Sequence, residues 1–233
     1  MKPKENSIIQ GIIKKVEEIK IDFIGTDTYV VGGALENRFL FNRLVEIIKN
    51  NPSIDKPNIF LDYIKINYVT TIIVAICRQI DGDKDSISLI NLLYEIYNNA
   101  EKITKKWFVA SYKTIGIVYG NRAFEENFGN LKHVDPAIIY ADIGNLIFYT
   151  KKIKKFRNKR VAHLDKNKEI KFDINFETLN DAIDLMEKIV KKYYLLLTQC
   201  EMDKLLPGNV LCFRDDRSDE EDIFCVPWKN CKK

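Results

Sequence analysis

The chain has 233 residues, is 46% hydrophobic and 30% charged, and carries a formal net charge of +4. This balance excludes a disordered polyelectrolyte and provides for a substantial core in one domain, or in one domain with a tail. So small a net charge also excludes a polycation that coats nucleic acid over its whole surface, so any basic cluster counts as a local patch.

The start of the chain lacks a secretory pattern: the opening residues lead into a segment interrupted by Lys14, Lys15, Glu17 and Glu18, with no apolar core and small-residue cleavage site. Residues 8–21 place Ile9, Ile12, Ile13, Val16 and Ile19 at the three-and-four spacing of an amphipathic helix. A second helix is predicted over residues 34–48 from Leu35, Phe39, Leu40, Leu44, Ile47 and Ile48, and Asn50-Asn51-Pro52-Ser53 stops it. The Gly32-Gly33 pair before it lacks the Lys-Ser/Thr of a phosphate-binding loop and reads as a turn.

Residues 59–80 are apolar almost all round, and their β-branched run from Val69 to Val74 favours a strand by propensity. Strands rarely exceed about ten residues, so a segment this long without Gly or Pro is expected to be a central helix buried on most faces. Its uncharged stretch, residues 66–77, is bounded by Lys65 and Arg78 and falls short of the roughly 20 residues of a membrane span, so the protein is expected to be soluble and cytoplasmic. Asp81-Gly82-Asp83-Lys84-Asp85 breaks the helix, and Ser86 or Ser88 can cap the next one, which carries Leu89, Leu92, Leu93, Ile96 and Tyr97. The alternating aspartates invite a calcium reading, which fails because Ser86 stands where the loop needs Gly and Leu92 where it needs a bidentate Glu.

Residues 101–132 predict one or two short helices with loop. Asp135-Pro136 then signals a helix start, and the series 146, 149, 153, 156, 160, 163 alternates steps of three and four. On that spacing the helix continues through Arg160 to His163, with both residues extending its apolar seam. The last strong helix is residues 176–198, capped by Asn175 or Thr178, with Leu179, Ala182, Ile183, Met186, Ile189, Val190, Tyr193 and Leu197 facing the core. Beyond Pro207-Gly208 the composition turns acidic, so the expected division is an all-α helical-bundle domain over residues 1–206 and an acidic, cysteine-containing tail over 207–233. Five scattered cysteines, an odd number without close pairs, suit reduced thiols better than disulfides or a metal site.

The chemistry concentrates in one place. Residues 151–160 carry seven positive charges and run into Val161-Ala162-His163-Leu164-Asp165, which contains one of the two histidines in the chain. Arg157 offers a cation for a phosphate, Asn158 a polar neighbour, and His163 an imidazole for proton transfer. Were the α-helix continuous, Arg157 would lie about 120° around it from His163 and about 9 Å along the axis, so they converge on one phosphate only where the helix end or a partner subunit brings them together. The other histidine, His133, has no partner pattern.

The segment Arg157-Asn158-Lys159-Arg160-Val161-Ala162-His163-Leu164-Asp165 resembles the signature of the HEPN superfamily, an Arg, a polar residue and a spaced His in a helical domain. Its Arg-Asn-Lys and Ala-His-Leu-Asp parts resemble the abortive-infection, AbiU-like branch, as does Ile76-Cys77-Arg78-Gln79-Ile80-Asp81 followed by Ser86-Ile87-Ser88-Leu89. The likeness spans roughly residues 8–197. It implies a HEPN-type bundle that dimerises so that two motifs line one cleft, cuts RNA without metal or other cofactor, and acts in phage defence or as a toxin, with an antitoxin among the partners such a toxin can have.

In that chemistry His163 takes or returns a proton near neutral pH, Arg157 holds the phosphate oxygens through its planar fork, and Asn158 orients the phosphate or the imidazole. Lys152, Lys155, Lys159 and Arg160 hold backbone phosphates with salt-sensitive, sequence-blind affinity, and Asp165 orients His163 or Arg157. Two other classes stay open: a catalytically silent RNA-binding or regulatory module, and a helical assembly subunit.

Overall fold

A computed structural model describes residues 3–25, 33–51, 59–112, 116–161, 174–203 and 205. Among them the fold is all-α, as the periodicities predict: α1 (Pro3–Ile24), α2 (Ala34–Lys49), α3 (Ile59–Gln79), α4 (Leu89–Asn98), α5 (Lys105–Val109), α6 (Ile117–Phe128), α7 (Pro136–Phe156) and α8 (Phe176–Thr198). A π-helical turn, Arg157–Val161, continues α7, and Thr104 and His133 form an isolated antiparallel bridge.

Each well-formed start has a local cause. Ser88, Thr104, Asp135 and Asn175 each accept a hydrogen bond from a backbone N–H in the first turn of the helix that follows, and Pro136 sits where its missing N–H costs nothing. In the aspartate loop Asp81 and Asp83 accept from the backbone N–H groups of Asp83 and Asp85, so these carboxylates brace a turn, as expected. α1 hands over to α2 where Gly25, at φ 93°, meets Gly33 so closely that a Cβ on Gly33 would lie 2.2 Å from the Gly25 Cα.

α1 packs on α8 and α4, α4 on α7, and α7 on α8. Ile9, Ile12, Val16 and Ile19 of α1 are wholly buried with Leu179, Ile183, Met186 and Val190 of α8, each such side chain contributing about 1.5–3 kcal/mol by leaving water. An aromatic group of Phe108, Phe124, Phe128 and Tyr193 joins α5 and α6 to α8. α2 and α3 pack together through Phe41 and Tyr68, whose rings stack with centroids 3.9 Å apart, and Phe176 at the start of α8 adds a third ring.

α3 departs from the expectation of burial on most faces. Its second half is core, through Ile72, Ile73, Ala75, Ile76 and Cys77, whereas Ile59, 88% exposed, Phe60, Tyr63 and Ile66 face solvent. The β-branched run is helical nonetheless, because packing against α7 and α8 outweighs a propensity difference of about 1 kcal/mol. By length and composition alone α3 could cross a membrane, a property the shorter stretch of residues 66–77 did not reveal. The acidic tail lies outside the described residues.

Ser88 ties the aspartate loop to α4: its hydroxyl donates to the Asp81 carbonyl at 2.6 Å and accepts from the Asn91 N–H at 3.3 Å, and the residue is 1% exposed. Ser88→Ala should therefore cost about 1–2 kcal/mol in urea unfolding, a cap and a buried acceptor lost together. A change below about 0.5 kcal/mol, no more than a surface substitution gives, would show that the loop holds without it.

Candidate functional site

The site is built on α7, and what matters is which of its faces is buried. Ile139, Ile143, Leu146, Thr150 and Ile153 form the inner strip, at steps of four, three, four and three. Thr150 fits there because its hydroxyl donates to the Leu146 carbonyl at 2.6 Å and leaves no unmet donor. The next step of four reaches Arg157. The series predicted from sequence shares Leu146 and Ile153 with this strip, but Tyr149 in it is exposed, and Arg160 is half-buried as Arg157 is.

The helical geometry also changes. α7 ends at Phe156, and Arg157–Val161 adopts the wider π-helical turn, in which each residue rotates through less than the α-helical 100°. An α-helical extrapolation to His163 therefore fails at Arg157, which stays on the inner side. His163 and Asp165, with Ala162 and Leu164, lie outside the described residues.

Arg157 is half-buried on a turn that packs against α3. Its Nε is buried and has no hydrogen-bond partner among the described residues. An orphaned donor of this kind costs about 1–3 kcal/mol, and such groups persist mainly where a site uses them. Burial pushes the Cys77 thiol above its ordinary pKa, against the opposing pull of the Arg157 and Lys154 charges, so the sulfur stays protonated at neutral pH. Sequence reasoning passed over Cys77, because a thiol inside an apolar run carries no signal of what faces it. Next to it Arg78 pairs with Asp22 of α1 at 2.9 Å, and Gln79 donates to the same carboxylate.

Outside the inner strip the surface is basic. Lys151, Lys152, Lys154, Lys155, Asn158 and Lys159 are exposed, and Arg160 is half-buried. The structure thus brings Lys152, Lys155, Asn158 and Lys159 onto the surface around a turn whose Arg157 points inward. Towards the N-terminal end of α7 the exposed face becomes apolar and small: Ala137, Tyr140, Ala141, Gly144, Ile147 and Phe148, the last 76% exposed.

At that end a buried clamp fixes α7 on α8. Asp142 accepts from Lys192 at 2.6 Å and from the Tyr193 hydroxyl at 2.9 Å. Burial, then the Asp142 charge and its hydrogen bond, raise the Tyr193 phenol far above its ordinary pKa. Among the described residues no group of His, Cys, Asp and Glu could hold a metal ion.

The all-helical fold of the described residues, with the Arg-Asn motif at a basic helix end, is consistent with a HEPN-type helical bundle. Residues 120–211 match the family model HEPN_AbiU2, described as AbiU2, and this segment, from within α6 to beyond α8, is of the HEPN superfamily in its AbiU-like branch. The match starts well after residue 8, where the sequence likeness was drawn, and reaches past 197 into the acidic tail. No curated protein and no solved structure matches the chain.

The Tyr193 phenol gives a pH signature. Its folded pKa is raised, so its contribution to stability is full below the unfolded value of about 10 and declines as pH rises above it. The stability difference between wild type and Tyr193→Phe should shrink by about 1.4 kcal/mol per pH unit between about pH 10 and 12 in denaturant titrations; parallel curves for the two proteins would rule the coupling out.

Proposed function

We propose that the protein is a metal-independent endoribonuclease acting in the cytoplasm in phage defence or as a toxin. The ribose 2′-OH attacks the adjacent phosphorus, a P–O2′ bond forms, the P–O5′ bond breaks, and a 2′,3′-cyclic phosphate and a free 5′-OH remain. His163 takes the 2′-OH proton, and an acid returns one to the leaving 5′-oxygen. Arg157 stabilises the charge that builds on the phosphoryl oxygens, Asn158 orients the phosphate, and Asp165 orients His163 or Arg157.

The observation that carries this reading is the placement of Arg157: a cation on the inner side of a π-turn, its Nε unpartnered among the described residues, at the edge of an exposed lysine surface and six positions before His163. π-helical turns recur at functional sites because the inserted residue re-aims its neighbours. Lys152, Lys155, Lys159 and Arg160 would track the RNA backbone.

Each chain has a single His163, so separate acid and base imidazoles require two copies. The exposed strip of Ala137, Tyr140, Ala141, Gly144, Ile147 and Phe148 suits a homodimer, since small residues let helices approach and the flanking rings bury apolar area. It runs directly into the lysines, so two copies meeting there would bring their motifs to one cleft. An antitoxin would then act by covering that cleft. One observation favours a second reading: Arg157, half-buried on a turn packed against α3, also suits a structural arginine, and the chain would then be a silent RNA-binding module that uses the lysines alone.

Purified protein and its His163→Ala variant, incubated in EDTA with mixed RNA, separate the readings. Loss of cleavage by at least about 100-fold in the variant is expected, with cyclic phosphate ends in the wild type and RNA affinity largely kept. Equal cleavage by both proteins would sink the assignment, and intact RNA with both would favour the binding module.

A further inference from the structure

We propose that Phe148 is a stacking platform for an unpaired RNA base, so that the surface leading to the π-turn takes single-stranded RNA in preference to duplex. The proposal deepens the reading above and rests on it in one respect, that RNA is what the lysine surface holds.

Three observations carry it. Phe148 is 76% exposed, and Lys151, Lys152 and Lys155, all exposed, follow it by three, four and seven positions, which places the four side chains on one face of α7. The ring is also braced: the Tyr149 ring meets it nearly perpendicularly, at 80° with centroids 5.6 Å apart, an edge contact that limits the orientations open to either ring. Third, residues 148–160 carry seven Lys and Arg side chains and no Asp or Glu, so the stripe is complementary to a polyanion along its whole length.

The spacing suits a nucleotide chain. Lys152 and Lys155 lie about 6 Å and about 10 Å along the helix axis from Phe148, so a base on the ring leaves its neighbouring phosphates within reach of the lysines. In a duplex the faces of each base are already stacked on other bases, whereas an unpaired base is free to lie on an aromatic ring. Lysines alone make no such distinction, because a duplex has the higher charge density and is held at least as well. Phe148 is the last member of the apolar strip, where that strip meets the lysines, so a dimer joined through Tyr140, Ala141 and Gly144 keeps each copy's ring at the mouth of the shared cleft.

Two substitutions separate stacking from packing: Phe148→Leu keeps an apolar side chain for a protein contact but removes the π face, and Phe148→Trp enlarges that face. Wild type and both variants would be titrated in EDTA, at several salt concentrations, against a labelled 2′-O-methyl RNA of about 12 nucleotides, single-stranded or annealed to its complement. The methyl groups block attack by the 2′-oxygen, so affinity is read apart from cleavage. Stacking predicts that wild type binds the single strand at least about 10-fold more tightly than the duplex. Phe148→Leu should lose about 10-fold on the single strand with an unchanged salt slope, while Phe148→Trp binds as tightly as wild type or more so, and sedimentation should give all three proteins one mass.

Equal affinity of wild type for the two RNAs, or wild-type single-strand binding by Phe148→Leu, would overturn the platform and leave the ribonuclease reading to the His163→Ala comparison. Weaker binding by Phe148→Trp than by Phe148→Leu would overturn it equally. A smaller mass for Phe148→Leu would assign the ring to the contact between copies, and Phe148-dependent capture on phosphatidylserine vesicles without RNA binding would assign it to a membrane; either result removes the platform. A wild-type chain that neither binds nor cleaves RNA overturns the ribonuclease reading and the platform together.

Discussion

The basic end of the molecule depends on one strip of side chains. Ile139, Ile143, Leu146, Thr150 and Ile153 fix the rotation of α7 about its own axis, because turning the helix by one residue would carry them into water and bring Tyr149 or the lysines into the core. At the start of α7 the Asp142 clamp to Lys192 and Tyr193 holds the same rotation by electrostatic means. With the helix so locked, Arg157 must point inward and Lys151, Lys152, Lys154 and Lys155 outward. The inner strip ends on a cation, and the π-turn begins at that residue.

An inward arginine is costly to a fold unless something repays its desolvation. Here the side chain is half-buried on a turn that packs against α3, and its Nε has no hydrogen-bond partner among the described residues. On the proposed function the exposed lysines would act at longer range and without direction, concentrating phosphate near the turn. The proposed division is between a surface that gathers a polyanion and one residue that contacts it.

Much of the bundle was legible in the sequence because periodicity reports burial directly. α1, α2, α4 and α8 follow the apolar spacing, and Ser88, Asp135 and Asn175 announce the helix starts they cap. α3 misled in one respect: an apolar sequence shows that a helix is able to be buried all round, not that the fold has partners for every face, and Ile59, Tyr63 and Ile66 have none among the described residues. The strip of α7 misled more. The predicted series joined Leu146 and Ile153, which are core, to Tyr149, which is exposed, and spacing alone does not say whether Tyr149 or Thr150 takes the inner place between them. The change to π-helical winding at Arg157 has no sequence signature, since it reflects how the turn seats against α3. The motif itself was readable, and Arg157 and Asn158 lie on that turn, while His163 and Asp165 lie outside the described residues.

On the proposed function Arg157, which follows the buried strip in register, meets the reacting phosphate, and Arg160 does not. Single-turnover cleavage of RNA in EDTA by Arg157→Ala and Arg160→Ala, compared at saturating protein, tests it most directly. The account predicts a loss of about 100-fold or more for Arg157→Ala, the scale of removing one transition-state donor, and for Arg160→Ala only weaker, more salt-sensitive binding. Wild-type cleavage by Arg157→Ala, or a larger loss in Arg160→Ala, would contradict it.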